Sequence, residues 1–348
     1  MNLTPIVLYN NTSSASPAPF QQMLIIPANT SINSTYTNIR FRDGNYKLLT
    51  SWLESYTTSS ATIWIVLPNG ISSKSAMTIY METGNLSDNF LDGVTVGEAP
   101  QLSGTYGQYD NGVKVFLAYF NGNTPISDFN YYSQYIQVFQ STAILNGKTI
   151  NVINVSRVAT GTFIVLIAEF VLNSAIQNQS LYVEGQTYLQ ATSVADNPKV
   201  GLLNNSSPEY SSIDAIAVNV GWAGAYFQQE IIQNGSYTPD INPGGSEAVG
   251  WVFSGLLYIS GASTYYGYTA PQLYSDAGGY SGTTTNTIPS SGDLFIGGIG
   301  GPNSSYPVQA NTTQYNWMRA RAYPPNGTMP IQVNELSSTV NITEGLII

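Results

Sequence analysis

GEAPQLSGTYGQYDNGVKVF, residues 97–116, is where the chain changes character. Gly97, Pro100, Gly104 and Gly107 interrupt any regular element, and Pro100 biases Ala99 toward extended geometry. Asn111-Gly112 then offers a tight turn. Val113, Val115 and Leu117 alternate with Lys114 and Phe116, which is the period of a strand, so a strand is expected over 113–120. The stretch reads as the joint between a small N-terminal β domain and a larger β domain. It holds no nucleophile, metal cluster or phosphate loop.

On the N-terminal side, short strands are expected at 20–27, 39–41, 46–53, 61–67 and 76–81. Turns at Asp43-Gly44-Asn45 and Asn69-Gly70 separate some of them. In the fourth, Ile63, Ile65 and Leu67 share one face while Trp64 and Val66 take the other. On the C-terminal side the same pattern continues at 134–139, 149–155, 161–172, 181–191, 213–220, 225–233, 248–260, 294–298 and 314–323. Residues 162–176 could be helix or strand by pattern, and their β-branched and aromatic content favours strand. Residues 265–289, rich in Tyr, Gly, Ser and Thr, read as a long surface excursion. The expected division is 1–108, an N-terminal β-sandwich; 109–330, a larger sandwich; and 331–348, a C-terminal strand or tail. The apolar end, Leu346-Ile347-Ile348, suits a last strand or a segment that pairs with a neighbour's sheet edge.

Composition bounds the chemistry. Of 348 residues 43% are hydrophobic, enough for a sizeable core, but only 9% are charged, against roughly 25% in an ordinary soluble protein. A net charge of -10 argues against a nucleic-acid partner. There is no Cys, which excludes disulfides, zinc–thiolate sites and a catalytic thiol. There is no His either, so the chain changes little in charge until the pH falls to about 4. Few titrating groups blunt acid unfolding, a trait suited to life in acid outside the cell. Sequons at Asn29, Asn33, Asn85, Asn154, Asn178, Asn204, Asn234, Asn303, Asn311 and Asn326, with others at Asn2, Asn10 and Asn11, suit a glycosylated surface. Met1-Asn2-Leu3-Thr4 does not read as a signal peptide. No membrane span is expected, because the most apolar run is short and carries Glu169.

Several pieces carry a family resemblance: Pro19-Phe20-Gln21-Gln22-Met23, Asn38-Ile39-Arg40-Phe41, Ser51-Trp52-Leu53-Glu54-Ser55, Trp64-Ile65-Val66-Leu67-Pro68, Thr78-Ile79-Tyr80-Met81 and Gly97-Glu98-Ala99-Pro100-Gln101-Leu102. Together with Tyr109-Asp110-Asn111-Gly112, the run from Phe20 to Phe116 resembles a domain of unknown function in secreted and surface proteins, many from archaea of hot acid springs. Arg319-Ala320-Arg321-Ala322-Tyr323-Pro324-Pro325 through Pro330 resembles the closing strand of the large domain in the same proteins. The resemblance implies a concanavalin-like jelly roll for that domain and offers no established catalytic residues to carry over.

The residues point the same way. In 317–323 Met318, Ala320 and Ala322 fall on one face, with Trp317, Arg319, Arg321 and Tyr323 on the other. Pro324-Pro325 stops the ladder. Arginines between aromatics can hold a sugar or a carboxylate, or can cover apolar sheet with their stems. Trp222, Trp251, Tyr265, Tyr266 and Tyr268 are the further candidates for glycan stacking. Glycoside hydrolysis needs two carboxylates within about 5–10 Å, yet Glu169, Glu184, Asp214, Glu230, Glu247, Asp276 and Asp293 are scattered singly. Asp43, Asp110 and Asp196 could offer oxygen to calcium, but in Asp-Gly and Asp-Asn contexts they read as turn formers.

The expectation is an all-β protein: a small N-terminal β-sandwich plus a larger concanavalin-like jelly-roll sandwich. Its expected role is a non-catalytic extracellular surface glycoprotein, structural or adhesive, on a cell envelope, filament or virion. Partners would be other subunits, through sheet edges or the C-terminal strand, and glycans. No cofactor and no metal is expected. A virion protein contacting the host and a glycoside hydrolase remain as alternatives.

Overall fold

The computed structural model describes residues 2–131, 136–157, 164–170, 176–177, 180–189, 199–203, 215–222, 226–233, 236–241, 250–258, 264–270, 280–283, 291–300 and 312–334. In chain order the strands are β1 (Asn2–Asn10), β2 (Phe20–Pro27), β3 (Ile39–Arg42), β4 (Ser51–Tyr56), β5 (Ser60–Leu67), β6 (Ser75–Thr83) and β7 (Val96–Glu98). One helical turn, α1 (Gly112–Val115), precedes β8 (Ala118–Asn121), β9 (Phe129–Tyr131), β10 (Ile136–Leu145), β11 (Lys148–Arg157), β12 (Ile164–Phe170) and β13 (Ile176–Gln177). Then come β14 (Leu181–Leu189), β15 (Lys199–Leu203), β16 (Ala215–Trp222), β17 (Tyr226–Gln233), β18 (Ser236–Ile241) and β19 (Gly250–Tyr258). The last are β20 (Thr264–Ala270), β21 (Tyr280–Thr283), β22 (Ser291–Gly300), β23 (Thr312–Ala322) and β24 (Ile331–Asn334). The protein is all-β, and its sheets pack as sandwiches.

The chain separates into two compact units, one of Met1–Leu117 with Arg321–Ile348 and one of Ala118–Ala320. The larger unit is therefore inserted in the sequence of the smaller. This differs from the expected boundaries at 108/109 and 330/331. The reason lies in the closing segment, which bonds back to the first unit. β24 pairs antiparallel with β1, with Tyr9 opposite Ile331. Side-chain amides extend the seam: Ala322 N–H donates to Gln21 Oε1 at 2.9 Å, and Gln22 Nε2 donates to the Pro330 carbonyl at 3.2 Å. Gln332 does the work of a strand partner on β2. Its Oε1 accepts the Ile25 N–H at 2.8 Å and its Nε2 donates to the Ile25 carbonyl at 3.0 Å.

The first unit holds two four-stranded sheets, ordered β24-β1-β6-β3 and β2-β5-β4-β7. Their strands alternate as the sequence requires: Leu24 lies opposite Ile63, and Phe20 opposite Leu67, and all four are buried. The other face of the second sheet has an aromatic cluster. Trp52 and Trp64 are register partners, and Phe116 meets both edge-on at 5.1 and 6.1 Å.

That cluster explains why the strand expected over 113–120 is replaced by α1 and the later, shorter β8. A strand would send Val115 and Phe116 to opposite faces, but both are buried. A helical turn buries both: Lys114 N–H donates to the Asn111 carbonyl at 2.7 Å and Phe116 N–H to the Gly112 carbonyl at 2.9 Å. Val113 is left in solvent. Asn111 is a buried plug rather than a hairpin residue, with Nδ2 on the Ser51 carbonyl at 3.1 Å. Gly97 makes room for it, since a Cβ there would come within 2.1 Å of Asn111 Oδ1.

Among the described residues of the second unit, one eight-stranded sheet runs β10-β11-β23-β14-β19-β20-β21, with β8 on β23. The other runs β18-β17-β16-β15-β22-β12-β9, with β13 on β22. Phe120 of the first sheet packs on Phe129 and Phe170 of the second, each with ring centroids 5.3 Å away. Gly185 allows a close approach between sheets, because a Cβ would sit 3.2 Å from Val200 Cγ2. Residues 164–170 form a strand, as favoured. The expected excursion over 265–289 is corrected in part: β20 and β21 are paired strands there, consistent with the strand preference of Tyr and Thr. The rest of that stretch, and Leu346–Ile348, lie outside the described residues.

Candidate functional site

Antiparallel pairing of β14 with β19 sets Tyr188 directly opposite Trp251. Directly opposed residues share a face of the sheet. Their rings meet edge to face, 5.4 Å between centroids at 66°. Trp251 Nε1 donates to the Ile144 carbonyl at 2.8 Å, so the indole's single polar group is satisfied within the protein. Both rings are half-buried. Ile144, whose carbonyl takes that bond, is 61% exposed and lies next to the β10–β11 turn, where Asn146 and Gly147 take positive φ of 50° and 79°. A ring held by a hydrogen bond and a neighbour loses little freedom on meeting a ligand. Its free surface suits the apolar face of a sugar.

Of the aromatic residues singled out in the sequence, Trp251 alone has a described side-chain environment. Trp222 ends β16 at a register shift, in the other sheet of the unit. Tyr265, Tyr266 and Tyr268 lie on β20, opposite Tyr258, Leu257 and Gly255 of β19; their side chains, and that of Trp222, lie outside what is described. Tyr188 escaped the sequence reading, because only the β14–β19 register pairs it with Trp251.

Arg319 and Arg321 are corrected as sugar-stacking residues, because both are fully buried. Arg319 Nε bonds Glu184 Oε2 at 2.7 Å, with side chains 0% and 2% exposed, and its guanidinium lies 5.0 Å from the Trp317 ring. Arg321 lies over Trp64 at 4.9 Å. They are core cations matched by a carboxylate and indole faces. Glu184 is thereby a partner in an ion pair. Asn316 Nδ2 donates to Gln186 Oε1 nearby at 2.6 Å. Glu169, Glu230 and Asp293 fall on β12, β17 and β22; Asp214, Glu247 and Asp276 lie outside the described residues.

The first unit buries Glu54, Glu82 and Glu98, and arginines hold Glu82. Glu82 accepts from Arg40 at 2.6 Å and also from Arg42. Burial opposes its ionisation, but the hydrogen bonds and charges of both arginines outweigh burial and hold the carboxyl below its usual range.

Among the described residues no group of three His, Cys, Asp or Glu is placed to hold a metal. Asp43 Oδ1 accepts the Asn45 and Lys47 N–H groups, both at 2.9 Å. Asp110 Oδ1 accepts Trp52 Nε1 and the Gly112 N–H, also at 2.9 Å. Asp196 lies outside the described residues.

The sequons divide. Asn29, Asn85 and Asn326 are exposed and Asn33 is half-buried. Asn154 is corrected: it is 1% exposed, with Nδ2 on Ser141 Oγ at 2.8 Å and on the Phe139 carbonyl at 3.1 Å. Asn178, Asn204, Asn234, Asn303 and Asn311 lie outside the described residues.

Residues 35–98 match a family described as a domain of unknown function, DUF2341. The expected N-terminal domain is therefore present in that region, which contains Arg40, Arg42 and Glu82. The chain is 37% identical over 358 aligned positions to Uncharacterized protein 562 of Sulfolobus islandicus rod-shaped virus 1. That match covers 98% of this chain and 61% of the viral protein's length. Among solved structures, basic winged bean lectin with Tn-antigen aligns at 12% identity and a TM-score of 0.37, covering 60% of this chain and 99% of the lectin. The CBM2 module of the evolved Dit of Lactobacillus casei BL23 phage J-1 aligns at 10% identity and a TM-score of 0.38, covering 60% and 96%. At such values the fold is read from the strands themselves. No described helix is long and apolar enough to cross a membrane.

Proposed function

We propose that this chain is a non-catalytic structural protein displayed on the outside of a virion, glycosylated, built to stay folded in acid, and adhesive toward glycans through Trp251 and Tyr188. The observation that carries the reading is the alignment of 98% of the chain with a protein of a rod-shaped archaeal virus. The chemistry is in keeping with it. Two buried carboxylates, Glu82 and Glu184, are held by arginines, which suits a building role better than proton transfer. The absence of His and Cys removes the groups that titrate or oxidise most readily near neutral pH.

Quantitative proteomics of purified particles, with antibody labelling of intact particles, tests the placement. Enrichment in the particles with surface labelling is expected. Abundance in the producing cells with none in the particles would refute it. A glycan array probed at acid pH separates adhesion from pure scaffolding: binding that is lost in Trp251→Ala supports adhesion, and an array without signal leaves a scaffold. Hydrolysis of a glycan by the protein, abolished in Glu184→Gln or Asp293→Asn, would favour the glycosidase instead.

A further inference from the structure

Transfer of a glycan to a folded chain needs an Asn in solvent whose Nδ2 is not already engaged. Five described sequons fail that test, and two more have other obstacles. Asn10 is fully buried and donates to the carbonyls of Ser14, Ile71 and Ser72 at 2.9, 3.2 and 3.1 Å. Asn154 is buried and bonded as described above. Asn33 donates to Thr37 Oγ1 at 3.0 Å while its Oδ1 accepts the Thr37 N–H at 3.0 Å, so it is a strut of its loop. Asn85 Nδ2 donates to Asp88 Oδ2 at 3.3 Å, and Asn326 Nδ2 to Ser13 Oγ at 3.2 Å. Asn11 is exposed, and among the described residues no hydrogen bond is made by its Nδ2. But its Oδ1 takes a long 3.4 Å contact from Lys74 Nζ, and the hydroxyl at the third position of its sequon, Ser13, already accepts from Asn326. Asn2 is exposed but lies in the ladder of β1, opposite Thr83.

Asn29 differs. Asn29, Thr30 and Ser31 are all exposed. Asn29 Oδ1 accepts the Ser31 N–H at 2.9 Å, and no hydrogen bond is made by its Nδ2 among the described residues. The turn is held from below. Asn38 Nδ2 donates to the Ser31 carbonyl at 2.9 Å, and Asn38 Oδ1 accepts the Asn33 N–H at 2.9 Å. A hydrogen bond at the amide oxygen draws electron density from the carboxamide and makes its N–H more acidic.

The geometry points to Asn29 as an N-glycan acceptor of this protein, an inference that rests on the exterior placement proposed above. The donor class is an oligosaccharide linked through phosphate to a membrane polyprenol. Asn29 Nδ2 bonds to C1 of the first sugar, the bond from C1 to the phosphate oxygen breaks, and the lipid phosphate leaves with the electron pair. The amide proton passes to a base of the transferase. A glycan there would extend from a rigid loop without disturbing a single described hydrogen bond.

The test is glycopeptide mass spectrometry on protein isolated from the cells that naturally make it. Sugar mass is expected on the peptide containing Asn29 and none on the peptide containing Asn154. Ser31→Ala should abolish the modification and Ser31→Thr should keep it, with both variants folding alike. A bare Asn29 alongside sugar on other sequons would overturn the assignment and leave the exterior placement standing. Bare sequons throughout would also overturn it, and the particle proteomics then decides the placement separately.

Discussion

Glu82 and Glu184 are both buried glutamates held by arginine, yet the two units solvate them differently. Glu82 lies on β6, directly opposite Arg40 of β3, the outermost strand of its sheet. Arg40 and Arg42 each keep 22% of their side-chain surface in water. Glu184 and Arg319 sit on β14 and β23, inside an eight-stranded sheet, at 2% and 0% exposure. At a sheet edge, water shares the cost of the charge and two cations share the carboxylate. In mid-sheet almost no water reaches either ion, so protein groups, the Trp317 ring among them, must do the solvating. The same residue chemistry is thus a part-hydrated clamp in one unit and a pair shut away from water in the other.

The sharpest way to break that contrast is Arg319→Met. It removes a buried cation from beside a buried carboxylate, so a loss of about 3–5 kcal/mol in denaturant unfolding is expected. Arg319→Met with Glu184→Leu should recover most of it. A loss below about 1 kcal/mol for the single change would place the pair in a far more polar setting than its burial implies.

Next in size is Glu82→Gln, with an expected loss of about 2 kcal/mol near neutral pH from weakened charge-assisted bonds. The pH dependence sharpens it. The folded carboxyl is held below its usual range, so its stabilisation is fully present above the unfolded value of about 4.3. It is lost as the pH falls through the lower, folded value. The stability gap between wild type and Glu82→Gln should therefore stay constant down to about pH 5 and close only in stronger acid. A gap already closing at about pH 6 would contradict the arginine clamp.

A smaller effect is expected for Gln332→Ala, which removes both bonds to Ile25 and should cost about 1–2 kcal/mol. An unchanged unfolding midpoint would show that the seam between β24 and β2 closes without them. Smallest is Trp251→Ala, about 1 kcal/mol for the lost bond to Ile144, read by the same unfolding assay and set beside the array signal.

Much of the architecture was legible because strand periodicity is local. The eight residues of β2 match the expected 20–27, and Ile63, Ile65 and Leu67 turn to the core as alternation requires. The face with Met318, Ala320 and Ala322 and the face with Trp317 and Arg319 were also readable, since every other residue shares a side. The misreadings have one origin. Whether Arg319 reaches a sugar or a buried glutamate depends on β14, which is distant in sequence. Asn154 carries a correct sequon, but β10 covers it. Tyr188 gains a partner only through the register with Trp251.

The amino-acid sequence by itself determined an all-β chain with few charged residues and neither His nor Cys, because composition and a two-residue period need no partner to be read. The tertiary structure alone decided that residues 321–334 belong with the N-terminal unit, that 112–115 coil to bury Val115 and Phe116 together, and which asparagines keep a free amide. Each of those outcomes turns on which distant backbone or ring lies alongside, and proximity in space is not written in the order of residues.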